Sequence, residues 1–172
     1  MRSVLVLSFI LVLSVFALGQ QKPGQAAQNF VETTISGESI ELEKLRGKVV
    51  VLTFWSTRCE ICVAEIPNLN KLVDKYGTED VVWVGLAWQD KAKLEEFFAK
   101  KPFKFKIVAQ SLGVLLKYAD RDPQGRLNMG FPAHFIVSQD GTVVYKASGW
   151  DKTSKIDSTV SRLLSDNVAK VD

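Results

Sequence analysis

Val49-Val50-Val51-Leu52-Thr53-Phe54-Trp55-Ser56-Thr57-Arg58-Cys59-Glu60-Ile61-Cys62 is the stretch that decides the fold. Its first seven residues are nearly all apolar and rich in β-branched and aromatic side chains, the pattern of a strand covered on both faces and so central in its sheet. Past Cys59 the period changes. Ile66, Leu69, Leu72, Val73 and Tyr76 recur at spacings of three and four, which predicts a helix over Cys59 to Tyr76 with one buried stripe and Gly77 as its stop. A buried strand leading into an amphipathic helix is the unit of an α/β layer fold.

The alternation continues downstream. Val81 to Trp88 reads as a second buried strand, and Asp90 to Lys101 as a helix carrying Leu94, Phe97 and Phe98 on one face and ending before Pro102. Phe103 to Val108 alternates as a short strand, Leu112 to Tyr118 reads as a helix, and Asp120 to Met129 as a polar loop. Ala133 to Ser138 and Thr142 to Ala147 flank a Gln139-Asp140-Gly141 turn and predict a β-hairpin. Ile156, Val160, Leu163 and Leu164 mark the inner face of a last helix over Ser154 to Leu164. Upstream, Ser39 to Leu42 reads as a short strand.

The N-terminus has a different character. Arg2 precedes an apolar run from Val4 to Leu18 that suits a secretory signal and falls short of the roughly 20 residues needed to span a bilayer. Ala17 and Gly19 suit cleavage before Gln20; an uncleaved anchor is the alternative. Both place the domain in the periplasm or elsewhere outside the cytosol. With no cysteine near the cut, a lipid-modified cysteine is excluded as an anchor. The expected organisation is a signal over 1–19, a flexible tether over 20–29, one domain over 30–165 and a tail over 166–172. Without Arg2 the chain keeps 21 basic against 19 acidic residues, a net charge of +2, which excludes little. The modest basic cluster Lys100, Lys101, Lys104 and Lys106 is interleaved with phenylalanines as on a solvated strand edge, so no nucleic-acid partner is expected.

Both cysteines of the chain fall in Cys59-Glu60-Ile61-Cys62, where a strand gives way to a helix. Unpaired amides and the positive end of the helix dipole favour an anion there, and a thiolate is such an anion. Cys59 is then the attacking nucleophile, and Cys62, one turn further in and more buried, resolves the mixed disulfide. Three blander readings remain open. A structural disulfide closing so small a loop would constrain the unfolded chain little. A zinc site needs four ligands, and beyond the two cysteines the sequence has one histidine, His134. Two inert buried thiols are the third. No haem, flavin, metal or other cofactor is implied by any residue.

Phe54-Trp55-Ser56-Thr57-Arg58-Cys59-Glu60-Ile61-Cys62, then Glu65-Ile66-Pro67, Gly130-Phe131-Pro132 and Asp140-Gly141, together resemble the TlpA/ResA-like branch of the thioredoxin superfamily. The resemblance spans Phe30 to Leu164. It implies a thioredoxin-like α/β fold, a mixed central sheet flanked by helices with an N-terminal β extension. It also implies a thiol-disulfide oxidoreductase with Cys59 and Cys62 as its redox-active disulfide. Its partners would be disulfide-containing exported proteins, with a membrane thiol donor for re-reduction; cytochrome c maturation is one role suggested. The chain is expected to act as a monomer.

Residue by residue, the resemblance implies that Trp55 flanks the active-site loop and that Pro132 is a cis-proline beside the dithiol; Trp55, Phe131 and Pro132 are the expected substrate-binding residues. A trans proline opening a strand is the alternative for Pro132. Glu65 corresponds to the acidic residue three positions after the second cysteine, expected to tune the resolving thiol or accept its proton; a solvent-exposed helix glutamate is the alternative. Thioredoxin's buried aspartate six positions before the first cysteine is here Thr53, so that role is absent or transferred. The Glu60-Ile61 pair lacks the proline often found before the second cysteine, and the Glu60 charge leans the couple toward reducing. His134, two residues after Pro132, is expected as a core or edge histidine with its ring satisfied; an approach to the site is the alternative. Trp83, Trp88 and Trp150 are expected in core or rim packing, with a docking groove as a further role for an aromatic near the dithiol.

Two rivals carry different functions. Peroxiredoxins share the fold, but their pattern places proline seven positions before the attacking cysteine; Leu52 is there, although Ser56 occupies the hydroxyl position. A non-enzymatic rival is a redox-dependent binding module that holds apo-proteins or copper.

Overall fold

In the computed structural model, which describes residues 20–168, β3 (Val49–Trp55) is the middle strand of five. The expected signal over 1–19 and residues 169–172 of the expected tail lie outside the described residues. The sheet order is β5-β4-β3-β8-β9, with β4 (Val81–Ala87) and β5 (Lys106–Val108) parallel to β3, β8 (Ala133–Val137) antiparallel to β3, and β9 (Val143–Ser148) antiparallel to β8. A separate antiparallel ribbon of β1 (Val31–Thr33) and β2 (Ser39–Glu41) forms the N-terminal β extension. This is the mixed α/β architecture expected.

Period two along β3 feeds two cores. Val49, Val51 and Trp55 face α1 (Glu60–Tyr76), α2 (Lys91–Phe98) and α4 (Thr153–Val168), packing with Ile66, Leu69, Leu94, Ile156 and Val160. Val50, Leu52 and Phe54 face the other way, onto Phe30, Ile40 and α3 (Leu112–Tyr118) with its Leu115 and Tyr118. Every residue of β3 and of β4 is buried. Such continuous apolar runs fit strands covered on both sides.

Several boundaries shift for identifiable reasons. Only Lys106–Val108 of the expected Phe103–Val108 strand pairs with β4, because the Asn70 side chain of α1 takes the preceding backbone: it donates to Pro102 O and accepts from Lys104 N, both at 2.9 Å. The expected loop over Asp120 to Met129 contains a small hairpin, β6 (Asp120–Arg121) and β7 (Leu127–Asn128), whose turn is held by Asp122 Oδ1 accepting from Gln124 N and Arg126 N. The last helix runs on to Val168, so it extends through the expected domain end at 165.

The expected tether over 20–29 requires correction. Gly24 N donates to Val143 O at 2.8 Å, Val143 N to Gln25 O and Ala27 N to Gly141 O at 2.9 Å, so the segment lies along β9 and its turn. Gln21 is buried, its Oε1 accepting from Gln28 N and its Nε2 donating to Ala26 O. Docking here runs through backbone groups, which leave no apolar periodicity in the sequence.

Candidate active site

The carboxyl end of β3 delivers the chain into α1 through Ser56-Thr57-Arg58, and Cys59 caps the helix. Cys59 O accepts from Val63 N at 3.0 Å and its Sγ accepts from Cys62 N at 3.3 Å, so the sulfur occupies the place of an N-cap oxygen. Cys59 and Cys62 are joined as a disulfide, Cα to Cα 5.2 Å. Cys59 is half-buried, whereas Cys62 is sealed against Ile66 and the apolar face of α1. The two sulfurs are thus unequally exposed.

The loop ahead of Cys59 is held by a residue that sequence reasoning missed. Gln89, buried just past β4, donates from Nε2 to Ser56 Oγ at 2.7 Å and accepts Thr57 N on Oε1 at 3.3 Å. Its only signal is a polar side chain directly after a continuous apolar strand that runs parallel to β3 and ends at the same edge.

Glu65 is 1 % exposed, which removes the solvent-facing alternative. Its Oε2 lies 3.2 Å from His134 Nε2 and its Oε1 accepts the Lys152 backbone N–H at 3.2 Å. Lys152 O accepts from Ile156 N, making Lys152 the first residue of the α4 cap, so the carboxylate sits at the positive end of that helix. Burial alone would push the Glu65 carboxyl up, but the His134 hydrogen bond and attraction, with the Lys152 and Asp151 backbone donors, outweigh it and hold the group below the ordinary carboxylate value.

His134 is fully buried and its ring is satisfied on both sides, as expected, with Nδ1 3.0 Å from Thr53 Oγ1. Thr53 and His134 stand directly opposite in the β3–β8 register and share the sheet face that meets α1. The position that holds aspartate in thioredoxin is thus linked to Glu65 through an imidazole.

The Phe131–Pro132 peptide bond is cis. Pro132 lies one step beyond the Phe54–Ala133 pair of the β3–β8 register, at the sheet edge from which the dithiol loop departs, and its carbonyl accepts from Gly149 N at 2.8 Å. Phe131 is half-buried beside it. Trp55 is placed otherwise than expected. At 1 % exposure it is enclosed by Phe97, Phe98 and Phe103, with ring centroids 5.4 to 5.7 Å away, so it supports the loop from below and offers no surface to a docked chain. Gly85 of β4 makes room for that ring, since a Cβ there would stand 3.2 Å from Trp55 Nε1 and 2.7 Å from Ile107 Cδ1. Trp83 is core, while Trp88 and Trp150 are each 49 % exposed and Ile61 is exposed as well. Three of the four clustered lysines are paired with carboxylates: Lys100 with Glu96, Lys104 with Asp74 and Lys106 with Glu38.

The family model described as AhpC/TSA matches residues 23–146, most of the chain. The chain belongs to the AhpC/TSA family. Within that family it is similar to the thiol-disulfide oxidoreductase ResA of Bacillus cereus, 30% identical over 142 residues that cover 81% of this chain and 78% of the relative. A secreted Mycobacterium tuberculosis disulfide oxidoreductase homologous to E. coli DsbE superposes with a TM-score of 0.62 at 26% identity, covering 78% of this chain and 96% of that one. A thioredoxin family thiol:disulfide interchange protein of Chlorobium tepidum, at 19% identity and a TM-score of 0.70 over 84% and 99% of the two chains, shares the fold. This AhpC/TSA member is a ResA-like thiol-disulfide oxidoreductase of the thioredoxin superfamily.

Proposed function

We propose that the protein reduces disulfides in other exported proteins, with Cys59 attacking, Cys62 resolving and Glu65 handling the Cys62 proton. The observation that carries this reading is the unequal setting of the two sulfurs: Cys59 at the partly open helix cap, Cys62 sealed one turn in, with the buried Glu65 a further turn along α1. In the forward cycle the Cys59 thiolate attacks a substrate disulfide, forming Cys59–S–S–R and expelling the other substrate sulfur as a thiolate that takes a proton from water. Cys62 gives its proton to Glu65 and attacks Cys59 Sγ. The Cys59–Cys62 bond forms, the bond to R breaks, and the second substrate thiolate leaves and is protonated. Two electrons pass to the substrate, and a membrane dithiol returns them by the same exchange in reverse.

The reducing direction is supported by charge. Glu60 and Glu65 lie on either side of Cys62 along α1, and a neighbouring negative charge disfavours the thiolate and so the reduced form. Arg58, of opposite sign, is exposed to solvent that screens it. Substrate docking is assigned to half-buried Phe131, to the backbone beside buried Pro132, which can pair with an extended chain, and to the exposed side chains of Ile61 and Trp150. Export is supported by the Val4–Leu18 run and by the secreted relative. Cleavage before Gln20 would leave an N-terminus already seated on the domain, since Gln20 Nε2 donates to Arg121 O at 3.2 Å. Cytochrome c maturation is the proposed setting, and the protein is proposed to act as a monomer.

The test joins a potential to a trap. The equilibrium potential of the Cys59/Cys62 pair should be at least as reducing as that of the glutaredoxins, about −200 to −230 mV. Cys62→Ser should accumulate mixed disulfides with exported proteins while Cys59→Ser accumulates none. A potential near that of the strongest disulfide donors, about −120 mV, would reverse the assigned direction; equal trapping by both variants would reject the assigned roles.

A further inference from the structure

The geometry points to His134 as a positioning residue for thiol exchange: it holds one oxygen of the Glu65 carboxylate beside Cys62 while the amide end of α4 holds the other, and Thr53 fixes the imidazole from behind. The inference rests on the role proposed for Glu65 and deepens it. A carboxylate one helical turn beyond Cys62 is useful as a base only if it stays ionised in a dry site and keeps one orientation. Both requirements are met by groups from three different elements. His134 comes from β8, Lys152 and Asp151 from the approach to α4, and Thr53 from β3.

Hydrogen-bond logic fixes the ring. An ionised carboxylate only accepts, so His134 Nε2 must carry the hydrogen that points at Glu65. Nδ1 then either accepts from the Thr53 hydroxyl or donates to it, and a hydroxyl serves both purposes. An aspartate at position 53 would accept only and would add a second buried negative charge 3.0 Å from the ring. Threonine therefore lets the imidazole keep its Nε2–H on Glu65 in either protonation state.

The remaining groups facing the carboxylate do not replace His134. Tyr145 of β9 is close enough to feel the Glu65 charge; burial first, and that charge second, push its phenol up, so it stays neutral. Cys62 lies on α1 itself and Cys59 caps it. Asp151 contributes a backbone donor, and its own side chain is exposed. Among the described residues His134 is the one side chain hydrogen-bonded to Glu65.

The experiment follows the resolving step alone. The full chain is reduced, Cys59 is converted to a mixed disulfide with 2-nitro-5-thiobenzoate, and release of the chromophore by Cys62 is timed from pH 5 to 9. In His134→Leu, which removes the donor at similar volume, the midpoint of the pH–rate profile should move up by about one unit or more, and the rate at pH 6 should fall about tenfold. The rate at pH 9, above the free-thiol value of about 8.5, should stay within about twofold of wild type. His134→Gln, which keeps an N–H able to reach Glu65, should recover most of the low-pH rate, whereas His134→Asn, too short to reach, should not. A purely structural role would lower the melting temperature and leave the profile in place. A folded His134→Leu with the wild-type profile overturns the assignment. Should that variant not melt cooperatively, identical profiles for the Gln and Asn variants overturn it instead. Failure of wild type to release the chromophore at any pH would reject thiol exchange itself, a distinct outcome.

Discussion

Thr53 Oγ1 and His134 Nδ1 meet at 3.0 Å across the middle of the sheet, each residue directly opposite the other in the β3–β8 register. They are a polar pair in an otherwise apolar face, between Val51, Trp55 and Ile136. Thr53→Val keeps the shape of the side chain and deletes the hydroxyl, which strands a buried ring nitrogen. The expected loss is about 1 to 3 kcal/mol in urea denaturation at pH 7. A loss below about 0.5 kcal/mol would show that the ring finds another partner.

Glu65 predicts a pH dependence of stability. Its folded carboxyl is held below the ordinary value of 4.5. The stability it contributes is therefore complete above the unfolded carboxylate range and is lost as pH falls through the depressed folded value. Glu65→Gln, which cannot ionise, should be less stable than wild type by about 1 to 3 kcal/mol at pH 7, and the two curves should converge on acidification below pH 4.5. Paired denaturant titrations from pH 7 to 3 check this. A difference that stays constant with pH would mean the carboxylate is not favoured in the folded state.

Gln89 predicts a separation of rate from reduction potential. Gln89→Ala frees Ser56 Oγ and Thr57 N, loosening the segment that presents Cys59, while leaving both sulfurs and Glu65 in place. Turnover of a protein disulfide should fall about tenfold through misplacement of the nucleophile, with a stability loss of about 1 to 2 kcal/mol and no change in the Cys59/Cys62 equilibrium potential. Insulin reduction and a glutathione redox titration read the two quantities separately. A potential that moves with the rate would place Gln89 in the electrostatics of the dithiol rather than in its positioning.

Legibility followed the physical range of each signal. The ends of β3 and α3 match the sequence reading because an uninterrupted buried run and a three-four period are recorded within a single element. The backbone of Pro102 to Lys104 was not legible, since its partner is Asn70, more than thirty residues away, and a side-chain amide taking a strand's hydrogen bonds leaves no periodic trace. Gln20–Gln28 misled for the same reason: its contacts with β9 run through backbone groups. Trp55 illustrates the reverse error. The family resemblance implied a place beside substrate, but alternation along β3 turns its ring into the core.

The sequence by itself determined the central strand, the helix that follows it and the cysteine pair at their junction, because each rests on residues that are neighbours along the chain; the family was legible because its motifs are short and keep their order. Tertiary structure alone decided that Thr53, Glu65 and His134 form one buried line. Their hydrogen bonds join a strand, a helix and a second strand separated by up to 81 residues. A charge can persist in a dry interior only when donors from such separate elements converge on it, and that convergence is a property of the packed layers.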